Sequence, residues 1–191
     1  MINFVLLSNS LIKKKAFFES YFGTVTSCLK CVNIPTDTLQ PISEAHGYTV
    51  ACQRIKNYIE QHNDNNNIII TIENFLTNIN DVWFEDYIVM IAWKDIKIYK
   101  VSNKLVWLDS KYVDILFANS SPVQLGRNKT ISSVMSEINN STSDDWYKHF
   151  NDSDQIANIK NILNSIMTDE MVNKLPINQI QHFHNVNNKY L

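Results

Sequence analysis

Three consecutive runs constrain this chain most: Ile68 to Phe75, Val82 to Trp93 and Ile96 to Leu108 are dense in β-branched and aromatic residues and are separated by a few polar ones. Runs of that kind form strands, and connections that short join neighbours antiparallel, so the spacing predicts a central meander. The stretch Ile68-Ile69-Ile70-Thr71-Ile72 is continuously apolar, without polar alternation, and must be largely buried.

Helical and further strand patterns surround this block. Phe4 to Leu7 reads as a short buried strand, followed by Ser8-Asn9-Ser10 and a helical pattern from Leu11 to Phe22. A second extended stretch covers Thr24 to Ile34. After Pro35 and Pro41 a helix is expected from Glu44 to Gln61, with Tyr48, Ala51, Cys52, Ile55, Tyr58 and Ile59 on one face. The last third turns helical, over Ser110 to Phe117, along the stripe Ile131, Val134, Met135 and Ile138, and from Asp152 to Met167. No repeat or linker divides the chain. One domain is expected over residues 1–170, with 171–191 a weakly packed tail holding Pro176, His182 and His184.

Composition removes several functional classes. The chain of 191 residues contains three glycines, Gly23, Gly47 and Gly126. A P-loop needs two glycines in one short loop and a dinucleotide-binding turn needs three, so neither phosphate cradle is present in its usual form. A formal net charge of −2 offers no broad basic surface, so no nucleic-acid partner is expected. Cys28 and Cys31 form a C-x-x-C without the second pair a zinc site needs, and Ser27 to Val32 reads as a strand, not the helix start of a redox motif. No apolar segment approaches about 18 residues and no charged leader opens the chain, so a cytoplasmic protein without a membrane partner is expected. On that view the Asn-x-Ser/Thr sequons at Asn119, Asn128, Asn139, Asn140 and Asn151 reflect the abundance of asparagine, and the run Asn63 to Asn67 is a polar loop.

Two places carry candidate chemistry. At the strand–Ser8-Asn9-Ser10–helix junction, a helix start presents free backbone N–H groups and a partial positive charge. Ser and Asn side chains add donors there, and Lys13 sits one turn in. This is a phosphate site built without glycine, or else simply a capped helix with Lys13 to Lys15 on its solvated face. Glu73 ends the buried run, where a carboxylate needs a reason to be. A metal-bound phosphate would supply one, and an ion pair with Arg54 or a lysine would supply another. His46 and Arg54 lie eight residues apart on one predicted helix and so share a face. Asp144-Asp145-Trp146 reads either as a carboxylate pair or as a helix cap.

Taken together, these stretches resemble the inosine/xanthosine triphosphatase family, which hydrolyses non-standard purine nucleoside triphosphates. The family's Ser-Asn-Asn-Pro-Val-Lys opening is met by Ser8-Asn9-Ser10-Leu11-Ile12-Lys13. Its Gln-Pro-x-Ser stretch and Gly-Ala-x-x-Arg helix are similar to Gln40-Pro41-Ile42-Ser43 and Val50-Ala51-Cys52-Gln53-Arg54, and its Ile-Glu strand end to Ile72-Glu73. Gln124-Leu125-Gly126 and Thr130 to Met135 resemble two later segments. The resemblance implies an α/β, ITPase-like fold, with a long curved mixed sheet flanked by helices, two lobes around a central cleft, and a homodimer. It implies Ser8, Asn9, Ser10, Lys13 and Arg54 facing a purine nucleoside triphosphate. Glu73 would hold magnesium or manganese, or orient the attacking water.

The chain also departs from that family. The Glu-Glu pair after Gln-Pro-x-Ser is replaced by Ala45-His46 with Glu44 before it, so Glu44 or His46 would have to take over as catalytic groups. The family's late Thr-Arg is met by Asn151-Asp152-Ser153-Asp154, and Asn74 and Thr130 replace glycines. Two functions are therefore expected as alternatives: hydrolysis of inosine or xanthosine triphosphate, or a catalytically degenerate nucleotide-binding or protein-interaction module.

Overall fold

The structure, a computed structural model, describes residues 3–26, 28–63, 66–102, 105–118, 129–140, 155–167 and Leu175. Its elements follow in the order β1 (Asn3–Leu6), α1 (Leu11–Glu19), α2 (Tyr21–Val25), β2 (Cys28–Cys31), α3 (Glu44–His62), β3 (Ile68–Ile79), β4 (Val82–Trp93), β5 (Ile96–Val101), β6 (Val106–Leu108), α4 (Ser110–Ala118), α5 (Ile131–Asn139) and α6 (Gln155–Ile166). They build an α/β fold with a curled mixed sheet in the order β2-β1-β3-β4-β5, β6 pairing with β4. β1 runs parallel to both β2 and β3, and the meander of β3, β4 and β5 is antiparallel.

Side-chain alternation along the strands sorts the core into two layers. Phe4 and Leu6 of β1 and Ile68, Ile70, Ile72 and Leu76 of β3 pack with Phe17, Met135 and Leu163 from the helices of one face. Val5, Leu7, Ile69, Met90 and Ala92 pack on the other face against Ala51, Ile55 and Tyr58 of α3. Covered on both faces, β3 and β4 have no need of polar alternation, as their sequence implies.

Three boundaries differ from the sequence expectation. The helix expected from Leu11 to Phe22 breaks at Ser20, which is extended (φ −86°, ψ 170°) and turns its hydroxyl back onto the carbonyl of Phe17 at 2.6 Å. α2 then folds so tightly under α1 that a Cβ on Gly23 would lie 2.2 Å from the Phe18 carbonyl oxygen. The expected strand from Thr24 to Ile34 shortens to Cys28–Cys31, because its first residues belong to α2. The run Ile96 to Leu108 becomes two strands end to end on one edge of β4, with β5 pairing residues 88–93 and β6 residues 83–85. The expectations for Gln124 to Gly126, Asp144 to Trp146, Asn151 to Asp154 and the tail's Pro176, His182 and His184 lie outside the described residues.

Candidate functional site

β1 is short and its neighbour β3 is long, and the site follows from that mismatch. Their pairing ends at Leu6 and Ile70, with one more bond from the Leu7 N–H to the Ile70 carbonyl at 2.8 Å. β3 continues to Ile79, so its edge needs other partners. Lys13 donates to the Ile72 carbonyl at 2.5 Å, and the Leu76 N–H donates to the Pro41 carbonyl at 2.8 Å. Backbone groups alternate sides along a strand, so those of Asn74 face the same gap as those of Ile72 and Leu76. In this gap lies a cavity of about 680 Å³, lined among others by Ser8, Asn9, Ser10, Lys13, Arg54 and Glu73.

α1 starts at the mouth of the cavity. Ser10 caps it, accepting the Lys13 N–H at 3.4 Å, while Ser8 accepts the Ser10 N–H at 3.1 Å. The N–H groups of Leu11 and Ile12, in the first turn, have no intrahelical partner. A second helix start, that of α5, supplies Thr130, Ser132 and Ser133 to the same cavity. Thr130 and Ser133 bond each other's backbone in a capping box. The next N–H, of Ile131, donates to Oε1 of the buried Gln40 at 2.9 Å. What α5 keeps for a ligand is the Ser132 N–H, its helix-dipole end and the Ser132 hydroxyl, which shares a hydrogen bond with Thr130 Oγ1 at 3.2 Å.

Lys13 and Arg54 are the cations of the cavity. Burial pushes the Lys13 ammonium below its usual pKa of 10.5; the nearby Glu73 carboxylate opposes this, Arg54 adds to it, and Glu85 opposes it. Arg54 Nε donates to Glu73 Oε1 at 2.6 Å and its Nη2 to Oε2 at 3.2 Å; Nη1 donates to the Ile34 carbonyl. Thr71 donates to Glu73 Oε1 at 2.6 Å. The ion-pair alternative for Glu73 is thus what the structure shows. Of about four lone-pair positions on this carboxylate three are engaged, leaving one on Oε2.

That geometry bears on the expected magnesium or manganese. The cation beside Glu73 is the Arg54 guanidinium, and no group of three or more His, Cys, Asp or Glu side chains gathers to hold a metal among the described residues. The donor set does not fit a resident ion, and no chemical step is routed through one below.

Glu44 and His46 do not line the cavity. α3 rises about 1.5 Å per residue, which carries Glu44 about 15 Å along the helix from Arg54. Glu44 is exposed, near enough to Asp86 to raise its pKa, and the His46 N–H is engaged with the Ser43 cap at 3.1 Å. Sequence reasoning missed Thr36, Asn74 and Gln155 in the cavity wall, Thr71 as a partner of Glu73, and Gln40 as a bridge. For Gln40 a signal existed: it stands in one of the stretches that carry the resemblance, and it bonds to another.

The cysteines are free, with Cys28 exposed and Cys31 half-buried on β2. No helix among the described residues is long and apolar enough to cross a membrane.

No family model and no curated protein matches the sequence. Among solved structures, the protein VC0702 from Vibrio cholerae superposes with a TM-score of 0.63 at 12% identity, over 86% of this chain and 92% of that one. At that identity the likeness is one of fold.

Proposed function

We propose that this chain is a divergent, ITPase-like hydrolase of inosine and xanthosine triphosphates, with the triphosphate seated in the cavity past the end of β1, along the edge of β3. One observation carries the reading. Ser8, Asn9, Ser10, Lys13, Arg54, Glu73 and Thr130, spread over the length of the resemblance, line a single cavity toward which two helix starts open. Phosphoryl transfer needs donors and cations where charge accumulates more than it needs covalent chemistry, and that is the composition of this wall.

In this reading Lys13 and the α1 start bind the phosphate oxygens and stabilise the charge that grows on them. Anion binding restores the Lys13 ammonium toward its usual pKa, offsetting its burial. Glu73, held by Arg54 and Thr71, orients the attacking water through its remaining lone pair. A two-lobed cleft and a homodimer belong to the same proposal, and light scattering checks the dimer.

A second reading, a nucleotide-binding module without hydrolysis, draws on one specific feature. Arg54 neutralises Glu73, and Glu44 and His46 stand away from the cavity. Purified protein is incubated with inosine, xanthosine and standard triphosphates, with and without magnesium, while phosphate and pyrophosphate release are followed. The hydrolase reading expects turnover of the inosine and xanthosine nucleotides that falls at least 100-fold in Glu73→Ala, about the loss of one transition-state contact. Binding without turnover establishes the module; turnover indifferent to Glu73→Ala removes the assigned role.

A further inference from the structure

Large hydrophobic side chains exposed one at a time are ordinary on a protein surface, but here they gather. Residues opposite each other on an antiparallel ladder share a face. The register therefore puts Ile79 with Val82, Trp107 with Phe84, and Tyr99 with Met90 on the face that α3 packs against. Leu105 stands two residues before Trp107, and strand alternation returns it to that face. Tyr48 of α3 joins them, its ring centroid 4.9 Å from that of Tyr99. Tyr48, Ile79, Val82, Tyr99, Leu105 and Trp107 are between 37% and 48% exposed, and they are six of the eleven large hydrophobics exposed among the described residues. Their stripe follows β4 from Val82 to Met90, about 27 Å at the usual strand rise.

α3 begins at Glu44, and its Gly47 lies over Phe75 and Ile88, which leaves the sheet bare toward the turn at Asn80 and Asp81. A sheet face given to water normally turns polar residues outward. Past α3 the outward positions are Thr77, Ile79, Val82, Phe84 and Trp107, one polar residue among five. Asp86, the acid within the outline, is buried, and Glu44 and Lys97 stand at the margin. At about 200 Å² for a whole aromatic side chain and about half that for an aliphatic one, the six side chains expose roughly 400 Å². A standard interface takes about 800 Å² from each partner, of which about 65%, or roughly 500 Å², is apolar in homodimers.

We infer that this stripe is the interface between two copies of the chain, packed face to face about a two-fold axis with Leu105 and Trp107 in its middle. Two features select a second copy over a different protein. The apolar area approaches the share that one protomer gives to a homodimer, a class of interface more apolar than that of partners that separate again. A two-fold contact also sets a surface against itself, which a stripe with its charges at the margin tolerates and a charged one does not. Trp107 and Tyr99 are its anchors, since aromatic side chains carry most of the binding energy at such contacts. The inference rests on the homodimer of the reading above, to which it gives a surface, and not on what the cavity binds.

Sedimentation velocity and light scattering on wild type, Trp107→Glu, Tyr99→Glu and Phe18→Ser test it, with circular dichroism to confirm that each variant is folded. Wild type is expected as a dimer. The two-fold repeats every substitution on both sides, so Trp107→Glu puts two carboxylates into apolar contact and should weaken dimerisation by about 30-fold or more. Tyr99→Glu, at one end of the stripe, acts in the same direction with a smaller loss. Both side chains are about half exposed in the protomer, so their replacement leaves its core intact; Trp107→Ser serves where a glutamate does not fold. Phe18→Ser removes an equally exposed ring from α1, on the other face of the sheet, and should leave the dimer as it was. Folded Trp107 and Tyr99 variants that stay fully dimeric, or a dimer lost in Phe18→Ser instead, overturn the inference alone. A monomeric wild type removes the homodimer from the reading above, and this inference with it.

Discussion

Glu73 and Asp86 are buried carboxylates on one face of adjacent strands, 6% and 4% exposed, and they meet opposite fates. Asp86 stands opposite Phe75, two residues along β3 from Glu73, and that face packs under α3, where Phe75 touches the site of Gly47. Arg54 grips Glu73 with two nitrogens. Asp86 has neutral donors, the Tyr87 N–H at 2.7 Å and the Ser102 hydroxyl, and among the described residues no cation pairs with it. Burial pushes its carboxyl up to about 6; the two hydrogen bonds oppose this, and the Glu44 charge adds to it. Similar burial thus leaves one carboxylate held in an ion pair and the other with its pKa raised to about 6.

The largest expected effect comes from removing the guanidinium that separates the two cases. Arg54→Met leaves Glu73 buried and uncompensated, which costs about 3 kcal/mol of unfolding free energy in urea. Adding Glu73→Leu removes the orphaned charge and should recover most of that loss, since an apolar pair of similar volume often replaces a buried ion pair at little cost. A double variant no more stable than Arg54→Met would mean that the arginine acts through the Ile34 carbonyl, and the contrast with Asp86 would lose its basis.

How much of this was legible before folding depends on how local each feature is. β3 and β4 could be read from Ile68–Phe75 and Val82–Trp93 because composition alone decides a doubly covered strand. Ser8 to Lys13 could be read because a helix start is a matter of neighbours. Ser20 could not: its break depends on α2 packing back against Phe18, a tertiary contact. The approach of Gln155 to the Tyr87 hydroxyl likewise depends on α6 packing up to β4. Glu44 and His46 were drawn in by the family pattern, and the length of α3 carries them away from Arg54.

Asp86 supplies the finer tests of the comparison, and the sign of its pH dependence is fixed. Its folded pKa lies above its ordinary 3.8, so the folded state holds the proton more tightly, and this stabilisation, present at pH 4, is lost as pH rises through about 6. Asp86→Asn cannot ionise and keeps an acceptor for the Tyr87 N–H. Its stability relative to wild type should rise by about 2 kcal/mol between pH 4 and pH 8, allowing for solvent screening. A gain independent of pH would show that burial does not raise the Asp86 pKa, and the contrast with Glu73 would lose that half of its basis. The smallest effect belongs to Glu44→Gln, which removes a like charge and so should move the Asp86 midpoint down by a fraction of a pH unit. The midpoint, followed by the carboxyl carbon shift in NMR, is the right readout, because Glu44 also favours the α3 start through the helix dipole and a change in melting temperature would mix the two. A midpoint that stays at about 6 would leave desolvation as the whole cause and confine Glu44 to the helix end.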